Sequence, residues 1–243
     1  MTRLLVSVRS VAEAREALDA GVDLVDLKEP RRGSLGAVDW EVAAEVAAQA
    51  AARSPVSMAL GELMDGCAPT DRKVPRGVAY VKLGMAGAAI EADWPRRWSD
   101  ALALLPAFAT PVAVAYADWR DAQAPRPSDV LAEGRKLGCG AFLVDTWRKS
   151  AGGLLDCVTF RELAELLQGA RAGGMLGVVG GSLTWETVAP VLELAPDYVA
   201  VRGAVCRGSR LAALDGKLVE RWVERVHGSR RRAEGGMRKD DPG

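Results

Sequence analysis

Histidine is almost missing from this chain: His227 is the only one among 243 residues. It falls near the end of the last expected helix. Neither a histidine-based metal centre nor a Ser-His-Asp triad can be assembled from it. Cysteine is scarce too. Cys67, Cys139, Cys157 and Cys206 are scattered, with no CxxC pair, so reduced thiols in a cytoplasmic protein are the expected state. An excess of charge of one sign is also lacking. Thirty-two basic residues stand against thirty-two acidic ones, which leaves no global field to gather nucleic acid or an anionic membrane. Long apolar runs are absent as well. The opening MTRLLVSVRS holds only about five apolar residues in a row and is expected to be neither signal peptide nor membrane span.

What is present is ordinary for a globular domain, 49% hydrophobic and 26% charged, in a chain long enough to bury a large core. Short Val- and Leu-rich runs recur, each followed by an amphipathic stretch. The expected strands are Leu4 to Val8, Val22 to Lys28, Pro55 to Gly61, Val78 to Leu83, Pro111 to Tyr116, Ala141 to Asp145, Met175 to Val179 and Tyr198 to Arg202. Helices are expected over Val11 to Ala20, from a cap at Asp39 to near Arg53, and over Trp94 to Ala109. Others run from a cap at Ser128 to Leu137, over Thr159 to Gln168, from Thr184 onward, and over Leu211 to Val226. Eight strand-then-helix units in one chain predict a single closed (β/α)8 barrel, with an open doubly wound sheet as the rival. The third unit is the weakest, because Met64 to Pro75 has no clear helical pattern. The barrel is expected to occupy residues 1–227. Gly228 to Gly243 reads as a frayed, charged tail, although its arginines at 230–232 could also serve as an RNA-binding arm.

Lysine is the informative residue. Only seven of the thirty-two basic residues are lysine, so the chain uses arginine wherever a plain positive charge suffices. Lys136 and Lys217 fall on expected helices, Lys239 in the tail, and Lys73 in the weak third unit. Lys28 and Lys82 end expected strands two and four, and Lys149 follows strand six by four residues. In a barrel these three converge on one mouth, the end where this fold places its active sites. A lysine amine, unlike a guanidinium, loses its proton when desolvated or set beside another cation, and can then form an imine with a carbonyl. Each lysine could instead hold a phosphate, or pair with Asp26, Glu29 or Asp145. Asp145, ending strand six, suits a general acid or base or a group orienting Lys149. A carboxylate Mg2+ site from Asp26, Glu29 and Asp145 is the remaining metal reading; neither metal nor cofactor is expected.

Small residues follow the last two strands: Gly180, Gly181 and Ser182 after the seventh, then Arg202, Gly203 and Ala204 after the eighth. Backbone amides can approach an anion there, and these loops are the usual phosphate site of a barrel. Asp26 is a further candidate substrate contact. The loop Gly33-Ser34-Leu35-Gly36, after Arg31-Arg32, could close over a substrate or be a plain turn.

Several of these segments together resemble a known family. They are Leu24-Val25-Asp26-Leu27-Lys28-Glu29-Pro30 with the Gly33 to Gly36 loop, Tyr80-Val81-Lys82-Leu83-Gly84 and Tyr116-Ala117-Asp118. Leu143-Val144-Asp145-Thr146 with Lys149, and Val201-Arg202-Gly203-Ala204-Val205-Cys206, complete the set. The family is (5-formylfuran-3-yl)methyl phosphate synthase, which builds the furan ring of methanofuran. The resemblance implies a lyase that joins two molecules of glyceraldehyde 3-phosphate, losing water and one phosphate. It implies Lys28 as the Schiff-base lysine, Lys82 as proton acceptor, and Asp145 and Lys149 as aids to proton transfer. The sequence departs from the family after Lys149, where Ser150-Ala151-Gly152-Gly153 replaces the usual Asp-Gly-Lys. The expected partner is a triose phosphate, with a homo-oligomer open. Another class I aldolase or phosphosugar isomerase, or a non-catalytic phosphosugar-binding barrel, would share the lysines and the loops.

Overall fold

The computed structural model describes residues 1–66, 74–149 and 152–235, with backbone only for 229–235. Lys73, Cys67, the Ser150-Ala151 departure and residues 236–243 lie outside these. Eight parallel strands close in sequence order: β1 (Arg3–Val8), β2 (Leu24–Leu27), β3 (Val56–Glu62), β4 (Val78–Gly84), β5 (Thr110–Tyr116), β6 (Ala141–Asp145), β7 (Leu176–Val179) and β8 (Tyr198–Val201). β8 pairs back onto β1, with Val6 opposite Val201. The chain is therefore a (β/α)8 barrel, and the open-sheet alternative is excluded. The strands are buried almost throughout, as parallel strands covered by helices must be.

The helices are α1 (Val11–Asp19), α2 (Trp40–Ala50), α3 (Trp94–Ala103), α4 (Pro127–Lys136), α5 (Leu154–Cys157), α6 (Phe160–Ala172), α7 (Val188–Glu193) and α8 (Gly216–Gly235). Ser10 caps α1 through the Glu13 amide, and Thr159 with Glu162 forms a capping box on α6. Four boundaries differ from expectation. α3 stops short of Ala109 because Pro106 disfavours helical backbone before it. Pro127, not Ser128, opens α4, since proline suits the first helical position. α7 starts after Thr187, because Thr184 spends its backbone amide and hydroxyl on Thr187. α8 starts at Gly216, not Leu211, because Cys206 to Leu214 makes its own excursion, and it runs past Val226 to Gly235. The third unit has only a 3-10 turn, Leu63–Asp65, after its strand; among the described residues no α-helix separates β3 from β4. No helix of the described residues is long and apolar enough to cross a membrane.

Candidate active site

Because side chains alternate along a strand, Asp26 and Lys28 share the inward face of β2. The Lys28 amide donates to the carbonyl of Val8 (2.9 Å), which fixes it at the carboxyl rim beside β1. Asp145 ends β6, and Lys149 turns back onto it. The Lys149 Nζ donates to Asp145 Oδ1 (2.5 Å) and to Thr146 Oγ1 (3.2 Å). The other Asp145 oxygen lies 3.8 Å from the Lys28 Nζ. One carboxylate thus joins the two lysines. Asp118 positions this turn: its carboxylate accepts from the amides of Trp147 and Arg148, each at 2.7 Å.

Lys82 joins the same charge network from deeper in the barrel. Its Nζ donates to Asp26 Oδ1 (2.5 Å), which also accepts from Ser57, while Asp26 Oδ2 accepts from Ser7 (2.9 Å). Asp26 is 1% exposed and its oxygens are engaged. It therefore holds Lys82 and two serine hydroxyls rather than presenting a free acceptor to a substrate.

The electrostatics follow from this burial. Lys28 is only 7% exposed. Burial, with Lys149 and Lys82 adding like charge, outweighs the attraction of Asp145 and Asp26 and brings its amine down to about 8. Burial alone would raise the Asp145 carboxyl, but Lys149 and Lys28 hold it far below the usual carboxylate range. Asp26 is likewise pushed up by burial and more than offset by Lys82 and Lys28.

Lys28, Asp145 and Lys149 open onto a cavity of about 470 Å³ whose far wall is the β7 and β8 loops. Gly180, Gly181 and Ser182 line it, as do Arg202, Gly203 and Ala204. Gly181 sits at φ +99°, and a Cβ there would press on Thr146 and Leu154, so the close seating of this loop on β6 needs glycine. The Gly33 to Gly36 loop crosses from β2 to β6, where Ser34 Oγ donates to the Thr146 carbonyl (3.1 Å). Behind it, Tyr116 donates to Glu62 (2.7 Å), and burial raises both groups.

Arg202 faces a different task from the one expected of it. Its guanidinium makes a bidentate pair with Glu13 (2.5 and 3.1 Å) and donates to the carbonyls of Ser7, Arg210 and Ala212. It is 7% exposed and saturated, so it ties β8 to β1, to α1 and to the Cys206–Leu214 excursion. Burial works against the Glu13 carboxyl, and Arg202 outweighs it and lowers it. Sequence reasoning missed Ser7, Asp118 and Arg210. Asp118 had a signal, since it stood within a quoted motif; Arg210 had none, being one arginine among many. His227 pairs with Asp23 (2.8 Å) at the opposite end of β2 from Lys28. Among the described residues no group of three or more His, Cys, Asp or Glu could hold a metal ion.

Residues 4–223 match the family model described as 4-HFC-P synthase. The (5-formylfuran-3-yl)methyl phosphate synthase of Archaeoglobus fulgidus is 29% identical over 93% of this chain and 100% of that protein. The synthase of Methanosarcina mazei is 31% identical over 91% of this chain and 97% of that protein. Among solved structures, phosphoribosyl anthranilate isomerase from Thermus thermophilus superposes with a TM-score of 0.58 at 14% identity, covering 93% of this chain and 98% of that one. At that identity the likeness concerns the fold alone. The chain belongs to the (5-formylfuran-3-yl)methyl phosphate synthase family.

Proposed function

We propose that this chain is a lyase that condenses two molecules of glyceraldehyde 3-phosphate into (5-formylfuran-3-yl)methyl phosphate through an imine on Lys28. One observation carries the reading. A nearly buried lysine, its amine brought down to about 8, opens onto a cavity walled by small-residue loops. A protonated amine cannot attack a carbonyl. At pH 7 an amine of pKa about 8 is roughly one-tenth neutral, several hundred times more than a free lysine.

Lys28 adds to the carbonyl of one triose phosphate, and water leaves as the imine forms. The protonated imine draws electrons from the neighbouring carbon, whose proton passes to Lys82. The short contact with Asp26 holds the Lys82 side chain in place inside the barrel. The resulting enamine attacks the aldehyde carbon of the second triose phosphate. Lys149, held at the cavity wall by the Asp145 carboxylate, protonates the new alkoxide, and the pair assists the eliminations. Hydrolysis of the imine returns a water and frees Lys28. Ring closure and elimination release two waters and one phosphate in all, which balances two C3 phosphates against one C6 furan phosphate. Backbone amides of Gly180 to Ser182 are the proposed seat of one substrate phosphate, and those of Gly203 and Ala204 face the same cavity from the β8 side.

Borohydride added with glyceraldehyde 3-phosphate should attach a triose phosphate mass to Lys28. Wild-type protein should generate a furan chromophore and free phosphate together. Reversible aldol products without the chromophore would point to an ordinary class I aldolase. Full activity in Lys28→Arg would refute the imine.

A further inference from the structure

Two triose phosphates bring two dianions into one mouth, and the β7 loop, next to Lys149, accounts for one. The structure assigns the other to Arg210, on the excursion between β8 and α8: we propose that its guanidinium grips the phosphate of the triose that never bonds to Lys28. This assignment rests on the condensation proposed above.

Cys206 and Leu214 bridge the two ends of the excursion, and the Arg207 amide donates to Ala213 (3.0 Å). From beneath, the buried Arg202 donates to the carbonyls of Arg210 (3.0 Å) and Ala212 (3.2 Å). Arg202 is itself locked onto Glu13. One arginine is thus fully spent on fixing the backbone of another.

Arg210 is spent on nothing comparable. It lines the same cavity as Lys28, Asp145 and Lys149. Among the described residues its side chain has no carboxylate within ion-pair distance. Its one hydrogen bond there is a long 3.5 Å reach to the Gly33 carbonyl, across the mouth on the loop that follows Lys28. A half-buried guanidinium without a counterion is costly unless an anion completes it. Its planar fork suits a phosphate monoester. Position then selects which phosphate. Gly180 and Gly181 lie against Asp145 and Thr146 on the β6–β7 side. Arg210 packs beside Gly203 after β8 and reaches towards Gly33 on the β2 loop, so the two anion positions belong to different loops of the one cavity that Lys28 also lines.

Isothermal titration with glycerol 3-phosphate, which has no carbonyl to react, reads the anion positions without any chemistry. Wild-type protein is expected to bind two molecules per chain and Arg210→Met one. Arg210→Lys should recover the second, roughly 10- to 100-fold more weakly than wild type. Two undiminished sites in Arg210→Met, or a single site in the wild type, would overturn the proposal. A parallel titration with inorganic phosphate separates a substrate position from a product one: a second site that takes inorganic phosphate but not glycerol 3-phosphate also overturns it. In a second arm, Arg210→Met should still be labelled at Lys28 by borohydride and glyceraldehyde 3-phosphate, yet lose furan formation. Loss of labelling would place Arg210 on the wrong triose. If wild type makes no furan while the stoichiometry still falls from two to one, the condensation fails and the anion site stands.

Discussion

Lys28 shows what one buried amine does to pH dependence. Its amine is brought down to about 8 because burial and the neighbouring lysines outweigh Asp145 and Asp26. The reactive form is neutral, so kcat/KM for furan formation is expected to rise about tenfold per pH unit below 8 and level off above it. A pH–rate series from 6 to 9.5 reads this directly, and a flat profile would remove Lys28 as nucleophile. The same shift makes a stability prediction. In the unfolded chain the amine holds its proton up to about 10.5, whereas in the folded chain it gives it up near 8. The strain of burying a charge is thus fully present below pH 8 and is relieved as pH climbs from 8 towards 10.5. Lys28→Met is expected to be inactive yet more stable at pH 7, by up to about 3 kcal/mol. That advantage should shrink above pH 8, as urea unfolding at pH 7 and pH 9.5 would show.

The elements were legible to different depths. Val- and Leu-rich runs at a regular spacing announced all eight strands, because a parallel strand covered on both faces has to be apolar. Strand ends then placed Lys28, Asp145 and the glycine loops at one mouth. What the sequence hid were contacts between distant segments. Nothing near Arg202 says that Glu13, on α1, will neutralise it, and so a structural arginine read as a phosphate ligand. The Cys206–Leu214 excursion was absorbed into the start of α8, because its Leu211 and Leu214 look helical in isolation. These contacts are testable at the same scale. Arg202→Met leaves the buried Glu13 with Arg9 as its remaining partner and should cost up to about 3–5 kcal/mol in chemical unfolding. Pairing it with Glu13→Gln should cost less than the two single changes added together. If the pair anchors the excursion, hydrogen exchange in Arg202→Met should rise at Arg207, whose amide bond to Ala213 closes that turn. A loss of stability with exchange there unchanged would assign the pair to barrel closure alone.

At the scale of the whole molecule, the formal charges cancel, yet they are not evenly spread. The mouth gathers Lys28, Lys149, Arg210 and Arg221 against the single carboxylate of Asp145, while Arg202 is neutralised by Glu13 and Lys82 by Asp26. A balanced protein therefore carries a local positive field at one end of its barrel, and it needs no global basicity to attract small anions. Anions that bind only the folded barrel must stabilise it by mass action, by about 2.7 kcal/mol for one site at one hundred times its Kd. In a chain of this size that corresponds to a rise in Tm of roughly 5–10 °C. Inorganic phosphate and glycerol 3-phosphate should both raise Tm in a saturable way, and sodium chloride at equal ionic strength should not. The sign of the pH effect is set by Lys28. Below pH 8 it is charged and adds to the attraction; above pH 8 it is neutral, and the mouth holds one cation fewer. Differential scanning fluorimetry across phosphate concentration should therefore give a weaker apparent affinity at pH 9 than at pH 7. Lys28→Met should remove most of that difference. An affinity that strengthens with pH, following only the second ionisation of phosphate, would mean that the anion sits beyond the reach of Lys28, outside the mouth.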